Sequence, residues 1–166
     1  SSIRSSAKRA TAMLSCLRER EIFRDLRMSS FKAFEAIVRQ AEPLAMHTWF
    51  QLGGPAQYFA EPRTQGELIA LVQRCVEEGL PVRILGHGSN ILVRDEGLPG
   101  MVIRLSAPAF TEMQVDGQMI VAASGVRLSN VVTAAVHAGL AGMESLIGIP
   151  GTLGGALRVN AGTDTA

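Results

Sequence analysis

Two glycine-rich runs constrain this chain more than any other feature of it. The first is Leu85-Gly86-His87-Gly88-Ser89-Asn90-Ile91-Leu92, and the second is Gly148-Ile149-Pro150-Gly151-Thr152-Leu153-Gly154-Gly155-Ala156, followed by Arg158, Asn160 and Gly162. Each stands where a strand or helix has just ended. A glycine held in an ordered element costs about 0.5–1 kcal/mol relative to alanine, so five glycines and Pro150 between residues 148 and 162 need a reason. Close approach of the backbone to a large flat ligand is one; a sharp turn between packed elements is the other. In the first run, small residues at 86 and 88 let consecutive N–H groups and the Ser89 hydroxyl converge on phosphate oxygens. A bare Gly-x-Gly also joins strands where no ligand binds.

Several ligand-binding classes are excluded by what surrounds these runs. Ile91 stands where a dinucleotide fingerprint needs its third glycine, and no Gly-Lys-Ser or Gly-Lys-Thr is present for a P-loop. The net charge of +1 argues against nucleic acid and anionic membranes, which call for a concentrated basic surface. Cys16 and Cys75 are far apart, without a CxxC, so neither a disulfide framework nor a zinc site is expected. No apolar run approaches the roughly 18–20 residues of a membrane-spanning helix.

With 47% apolar and 19% charged residues, the 166-residue chain can bury a core as one domain, or as one domain with an appendage. Seven of its 16 basic residues and three of its 15 acidic ones lie in residues 1–27, so that leader carries about +4 and the remainder about −3. The leader is read as upstream or disordered sequence, with Met28 as an alternative start. From there an amphipathic helix is predicted, with Phe31, Phe34, Ile37 and Val38 on one face, ending at Glu42-Pro43.

An extended stretch from Thr48 to Leu52 should run into a turn at Gly53-Gly54-Pro55-Ala56, with a strand over Gln57 to Ala60. A helix over 65–78 has Thr64 as N-cap, Glu67 completing a capping box and Gly79 as its stop; Leu68, Leu71, Val72, Cys75 and Val76 form its inner face. Strands follow at Pro81–Leu85 and Met101–Leu105. Beyond residue 106, Glu112–Val115 and Gln118–Ala123 pair as a hairpin about Asp116-Gly117. A helix from about Leu128 to Ala138 then turns Leu128, Val131, Val132 and Ala135 inward. The domain reading is 28–106 for a first subdomain and 107–166 for the start of a second.

Single residues carry less. His47, His87 and His137 have no carboxylate or cysteine at ligand spacing and are assigned no catalysis. Trp49 is read as core. Glu144 either contacts a ligand or caps a turn. No Ser/His/Asp set, carboxylate pair or metal cluster can be assembled.

In their order and spacing, His47-Thr48-Trp49-Phe50-Gln51-Leu52-Gly53-Gly54-Pro55-Ala56, Leu85 to Leu92, Ser124-Gly125, Gly139-Leu140-Ala141-Gly142-Met143-Glu144, Gly148 to Gly155 and Asn160-Ala161-Gly162 resemble the UDP-N-acetylenolpyruvoylglucosamine reductase family, also called UDP-N-acetylmuramate dehydrogenases. The resemblance covers residues 43–162. It implies an α+β, FAD-binding domain of the vanillyl-alcohol oxidase type, built from two small α/β subdomains of which the second is incomplete here. FAD would be bound non-covalently, with NADPH as co-substrate and a UDP-sugar as substrate, in a cytoplasmic enzyme of peptidoglycan synthesis serving cell-wall biogenesis, cell shape and cell division.

By the same resemblance, Leu85, Gly86, His87, Gly88, Ser89, Asn90 and Ile91 would hold the pyrophosphate. Ser124, Gly125, Gly148, Ile149, Pro150, Gly151, Gly154 and Gly155 would line the flavin, with Glu144, Asn160 and Gly162 completing the cofactor-binding set. The family's enolate-stabilising Arg, proton-donating Ser or Cys and late Glu align beyond residue 166, so no catalytic residue and no metal ligand is expected in this chain. Arg158 is not a substitute for that Arg. Thr163-Asp164-Thr165 departs from the Ala-Tyr-Gly common in the family.

Two other readings stand beside this one: another flavin oxidoreductase of the same fold, acting on a hydroxy acid or alcohol, and a non-catalytic FAD-binding fragment with exposed apolar surface and a tendency to self-associate. The sequence leaves the oligomeric state open.

Overall fold

The computed structural model describes residues 30–162. The leader 1–27 and Thr163-Asp164-Thr165 lie outside the described residues. The chain divides into two compact units between Ala36 and Ile37. Among the described residues of the first, Lys32–Phe34 is a single 3-10 turn, with the rings of Phe31 and Phe34 tilted at 54° and 6.4 Å apart.

The second unit opens with a four-stranded sheet. Its strands are β1 (Val38–Pro43), β2 (Pro55–Ala60), β3 (Val82–Leu85) and β4 (Leu98–Arg104), in the order β1-β2-β4-β3. β1 runs antiparallel to β2, pairing Val38 with Ala60 and Pro43 with Pro55. β4 runs parallel to both neighbours, pairing Phe59 with Val102 and Leu85 with Arg104. The central strands are buried through most of their length, as befits strands covered on both faces. β1 alternates in burial instead, as an edge strand with one covered face does.

That edge strand corrects the predicted amphipathic helix. Phe31, Phe34, Ile37 and Val38 do fall at helical spacing, but the unit boundary cuts the segment after Ala36 and Val38 enters the ladder. The Ile37 carbonyl accepts from Glu61 N–H at 3.0 Å, extending the pairing with β2. Pairing with a partner distant in sequence outweighs a local periodicity of two turns, and Pro43 is tolerated because it closes an edge strand.

The predicted extended stretch Thr48–Leu52 is also corrected. Leu44–His47 forms a 3-10 turn, and buried Thr48 donates its hydroxyl to the Leu52 carbonyl at 3.1 Å, folding residues 48–52 back on themselves.

Helix α1 (Gln65–Glu77) follows its punctuation closely. Thr64 Oγ1 accepts from Glu67 N–H at 3.1 Å, while the Glu67 carboxylate reaches one residue past the cap, to Arg63 N–H at 2.6 Å. At the other end Gly79, at φ +63°, lets Gly79 N–H donate to Val76 and Leu80 N–H to Cys75, a Schellman closure. Leu71 and Cys75 are fully buried, but Val76 is 73% exposed and not part of the inner face.

Beyond β4, the hairpin of β5 (Met113–Asp116) and β6 (Met119–Ala122) turns through Gly117-Gln118, one residue later than predicted, because Asp116 is still paired with Met119. Helix α2 (Leu128–His137) buries Leu128, Val131 and Ala135 and ends in a second Schellman closure at Gly139-Leu140. Helix α3 (Leu153–Val159) ends with Asn160 in the left-handed region.

Leu44, Ala56, Phe59, Leu85, Val93 and Val102 form one core cluster, and it positions the first glycine run. Leu85 and Val93 flank that run, so the loop leaves the core at one buried residue and returns at another. Each such side chain contributes about 1.5–3 kcal/mol by burial, which anchors both ends of the loop.

Candidate functional site: two joined glycine loops

The two glycine runs, which begin at Leu85 and Gly148, meet in space. Ser89 Oγ donates to the Pro150 carbonyl at 3.1 Å. A Cβ placed on Gly86 would lie 2.8 Å from Thr152 Oγ1, and one on Gly151 would lie 3.2 Å from Ser89 Oγ. Ser124-Gly125 joins the same cluster: Ser124 accepts from Gly154 N–H at 2.8 Å, and Val126 accepts from Leu153 N–H at 2.8 Å. Arg127 faces Thr152 in an isolated antiparallel bridge.

Some of these glycines are explained by the protein itself. A Cβ on Gly88 would overlap the His47 carbonyl, and one on Gly125 would overlap the carbonyl of Leu105. Gly154 packs against Ser124, where a Cβ would come within 2.9 Å of the serine Cβ. These three let one loop lie directly on another segment. Gly148 and Gly162 have nothing within 4 Å of their Cβ positions, so packing does not explain them.

The sites of unused hydrogen-bonding capacity are equally specific. At α3, Leu153, Gly154 and Gly155 N–H groups already donate to Val126, Ser124 and Thr152 Oγ1, which leaves this helix start with little to offer an anion. In the first loop, by contrast, the N–H groups of His87, Gly88, Ser89 and Asn90 meet no acceptor among the described residues. Four consecutive free donors in a turn pinned at both ends form the kind of nest that receives phosphate oxygens.

The remaining residues expected at the site are spread around this centre. Leu85 is buried at the end of β3, while Asn90 and Ile91 lie on the exposed side of the loop. Ile149 and Pro150 sit in the second loop, with Ile149 N–H bound to Leu146. Glu144 accepts from Gly142 N–H at 2.8 Å at the head of a 3-10 turn, so its carboxylate does act as a turn cap. Asn160 and Gly162 lie past the far end of α3, about 10 Å of helix from Thr152; Asn160 N–H caps the helix on the Ala156 and Leu157 carbonyls.

Trp49 is not core. It is 56% exposed, its ring edge-on to His87 at 6.0 Å, while its backbone N–H donates to the Gly88 carbonyl at 3.0 Å. Segment 47–49 is thus laid along the first loop.

Sequence reasoning misses what holds that segment. His47 stacks on Phe59 at 4.4 Å, with Nε2 2.9 Å from Glu42 Oε1 and Nδ1 3.1 Å from Arg104 Nη1. A guanidinium only donates, so Nδ1 accepts from Arg104 and Nε2–H donates to Glu42. Arg39 ties in Glu42 at 3.2 Å and Glu61 at 2.8 Å, and Ser106 donates to Glu61 at 2.9 Å. Burial pushes the Glu61 carboxyl up, but the bonds from Arg39 and Ser106 and the charges of Arg39 and Arg104 outweigh it, and its pKa is held below the ordinary glutamate value. Arg104 lies 57 residues from His47, and no local pattern announces the pair.

A small four-stranded sheet with one crossover helix, followed by a second α/β element, with a glycine loop from each half joined through Ser89 and Pro150, is an α+β domain with a loop cluster between its two halves. The chain belongs to the FAD binding domain family, whose model matches residues 56–166. Curated relatives are UDP-N-acetylenolpyruvoylglucosamine reductases: one from Heliobacterium modesticaldum is 45% identical over 74% of this chain and 39% of its own length, and one from Azorhizobium caulinodans is 50% identical over 72% and 38%. The chain therefore spans about two fifths of the curated relatives it matches. Among solved structures, the UDP-N-acetylenolpyruvylglucosamine reductase of Thermus caldophilus is 40% identical with a TM-score of 0.60, over 76% of this chain and 42% of that one. A solvent-stable cholesterol oxidase, 20% identical with a TM-score of 0.59, shares the fold.

The described residues fit the cofactor that the family name states. Free N–H groups at 87–90 suit the pyrophosphate, and Gly151, at φ +132° with only Ser89 Oγ near it, leaves the second loop open on one side. No described helix is long and apolar enough to cross a membrane.

Proposed function

We propose that this chain is the front part of the flavin domain of a UDP-N-acetylenolpyruvoylglucosamine reductase, which uses NADPH to reduce UDP-N-acetylglucosamine enolpyruvate to UDP-N-acetylmuramate in the cytoplasm, for peptidoglycan and hence for cell-wall growth and division. The observation that carries the reading is the joining of Ser89 to Pro150 over unpaired donors, in a chain 45–50% identical to reductases of that name.

The residues divide the work by position. His87 to Asn90 N–H groups receive the pyrophosphate, and Ser89 fixes the distance to the second loop. Ser124, Gly125 and Gly148 to Gly155 shape the wall against which the flavin lies. The Glu42–His47–Arg104 set holds segment 47–49 on the first loop and so fixes the loop's outer face. FAD, when bound, supplies the hydride chemistry. UDP-sugar and NADPH contacts, and the catalytic acid and base, belong to protein beyond residue 166 in this reading.

A second reading, an oxidoreductase of the same fold acting on an alcohol or hydroxy acid, draws on the shared fold with cholesterol oxidase. The two are separated by a steady-state assay on a protein carrying this segment together with its substrate domain. Consumption of NADPH that requires UDP-N-acetylglucosamine enolpyruvate is the expected result. Turnover with an alcohol or hydroxy acid, and none with the UDP-sugar, would overturn the reductase reading.

A further inference from the structure

The rim of the first loop carries Arg127, whose guanidinium has no ion pair among the described residues. Arg127 is bridged through its backbone to Thr152, whose side chain sits against Gly86, the residue before His87. Burial of the His87 ring, together with the charges of Arg127 and Arg104 acting on it, holds its pKa below the ordinary histidine value. No carboxylate acts on that ring; the other described neighbour is the Trp49 edge. Glu42 is engaged with His47 and Arg39, and Glu61 with Arg39 and Ser106.

Arg127 is exposed and makes no side-chain hydrogen bond or ion pair among the described residues. Arg104 gives its one described side-chain hydrogen bond to His47 Nδ1. Two guanidinium charges acting on the residue that opens a run of four free N–H groups are unfavourable alone and favourable around an anion. A backbone nest supplies direction, and a nearby guanidinium supplies charge.

We infer that Arg127, backed by Arg104, is the cationic arm of an anion site whose backbone half is the 87–90 turn, and that this arm grips the pyrophosphate of the dinucleotide cofactor. The inference rests on the flavin reading for its ligand, though not for the anion site itself. Sequence alone does not single out Arg127, since an arginine after Ser124-Gly125 has no neighbour there to give it meaning.

The test titrates the 166-residue chain with FAD, riboflavin and inorganic pyrophosphate, in wild type, Arg127→Gln and Arg127→Lys. Arg127 is exposed, so neither variant should disturb folding. Arg127→Gln is expected to weaken FAD and pyrophosphate about fivefold to tenfold at low salt and to flatten the salt dependence of both. Riboflavin, which lacks the pyrophosphate, should bind equally to all three, and Arg127→Lys should recover most of the loss. FAD binding that is the same in wild type and Arg127→Gln overturns the cationic arm and leaves the flavin reading standing. Arg127-dependent binding of pyrophosphate without binding of FAD supports the arm and overturns the flavin reading. Binding of neither anion overturns both.

Discussion

Ser89 and Pro150, 61 residues apart, are joined by one hydrogen bond of 3.1 Å from the serine hydroxyl to the proline carbonyl. Proline has no N–H, so its carbonyl is the only backbone group that residue 150 can offer, and Ser89 takes it. The bond fixes the gap between the two glycine loops. Ser89→Ala is expected to cost little global stability, about 0.5–1.5 kcal/mol for a single exposed hydrogen bond. Its effect on FAD binding should be larger in proportion, about tenfold, because the loops would no longer be held at the binding distance. Urea melts of the apo chain, set beside FAD titrations of both forms, check the split.

Gly88 and Gly148 both have positive φ, but for different reasons. Gly88→Ala would drive a methyl into the His47 carbonyl, and we expect a loss of about 3 kcal/mol or more, since neither backbone can yield easily. Gly148→Ala meets no atom within 4 Å and should lose only the conformational penalty, about 1 kcal/mol. Denaturation midpoints of the two variants decide whether close packing explains the first glycine and not the second.

Cys75 lies fully buried on the inner face of α1, and burial pushes its thiol pKa up to about 11. At neutral pH its thiolate is scarce as well as inaccessible. In a Cys16→Ser background, iodoacetamide should modify Cys75 slowly in the native protein and within minutes once the chain is unfolded. Mass spectrometry of quenched samples follows the reaction. Rapid native labelling would mean that α1 opens locally.

Glu61 has a folded pKa below its ordinary value of 4.5. A depressed carboxylate binds protons more readily in the unfolded chain, so its stabilising contribution is complete above 4.5 and is lost as pH falls through the folded value. Glu61→Gln should therefore be less stable than wild type at about pH 7 and approach it under acid conditions below that folded value. The difference should be modest, because the pair with Arg39 is partly exposed and screened. Guanidinium melts across this pH range give the curve.

What is legible in the sequence follows the range of the interactions involved. α1 can be read closely because Thr64, Glu67 and Gly79 act on backbone groups a few residues away. β2 and β4 show as apolar runs between turn residues. β1 does not, because an edge strand is made by its partner, and Val38 to Pro43 gain their extended form from pairing with β2. Trp49 misleads for a related reason: an indole is ordinarily buried, yet here residues 47–49 are held by main-chain contacts to Gly88, and the ring is left outside.

The site shows the same division. The glycine runs are visible as runs, and their order carries the family likeness. Which glycines are packing devices and which leave room is not visible, because the atoms that decide it, the carbonyls of His47 and Leu105 and the Ser124 side chain, come from other segments. The Glu42–His47–Arg104 set and the pairing of Arg127 with Thr152 depend on the sheet register and on one isolated bridge.

The central claim is that the unpaired N–H groups of His87, Gly88, Ser89 and Asn90 receive the cofactor pyrophosphate. Amide hydrogen exchange of the chain, followed residue by residue with and without saturating FAD, tests it most directly. Fast exchange is expected at these four amides in the free chain and marked protection with FAD, while α1 amides are unchanged. Four amides that exchange equally fast in both conditions would contradict the claim.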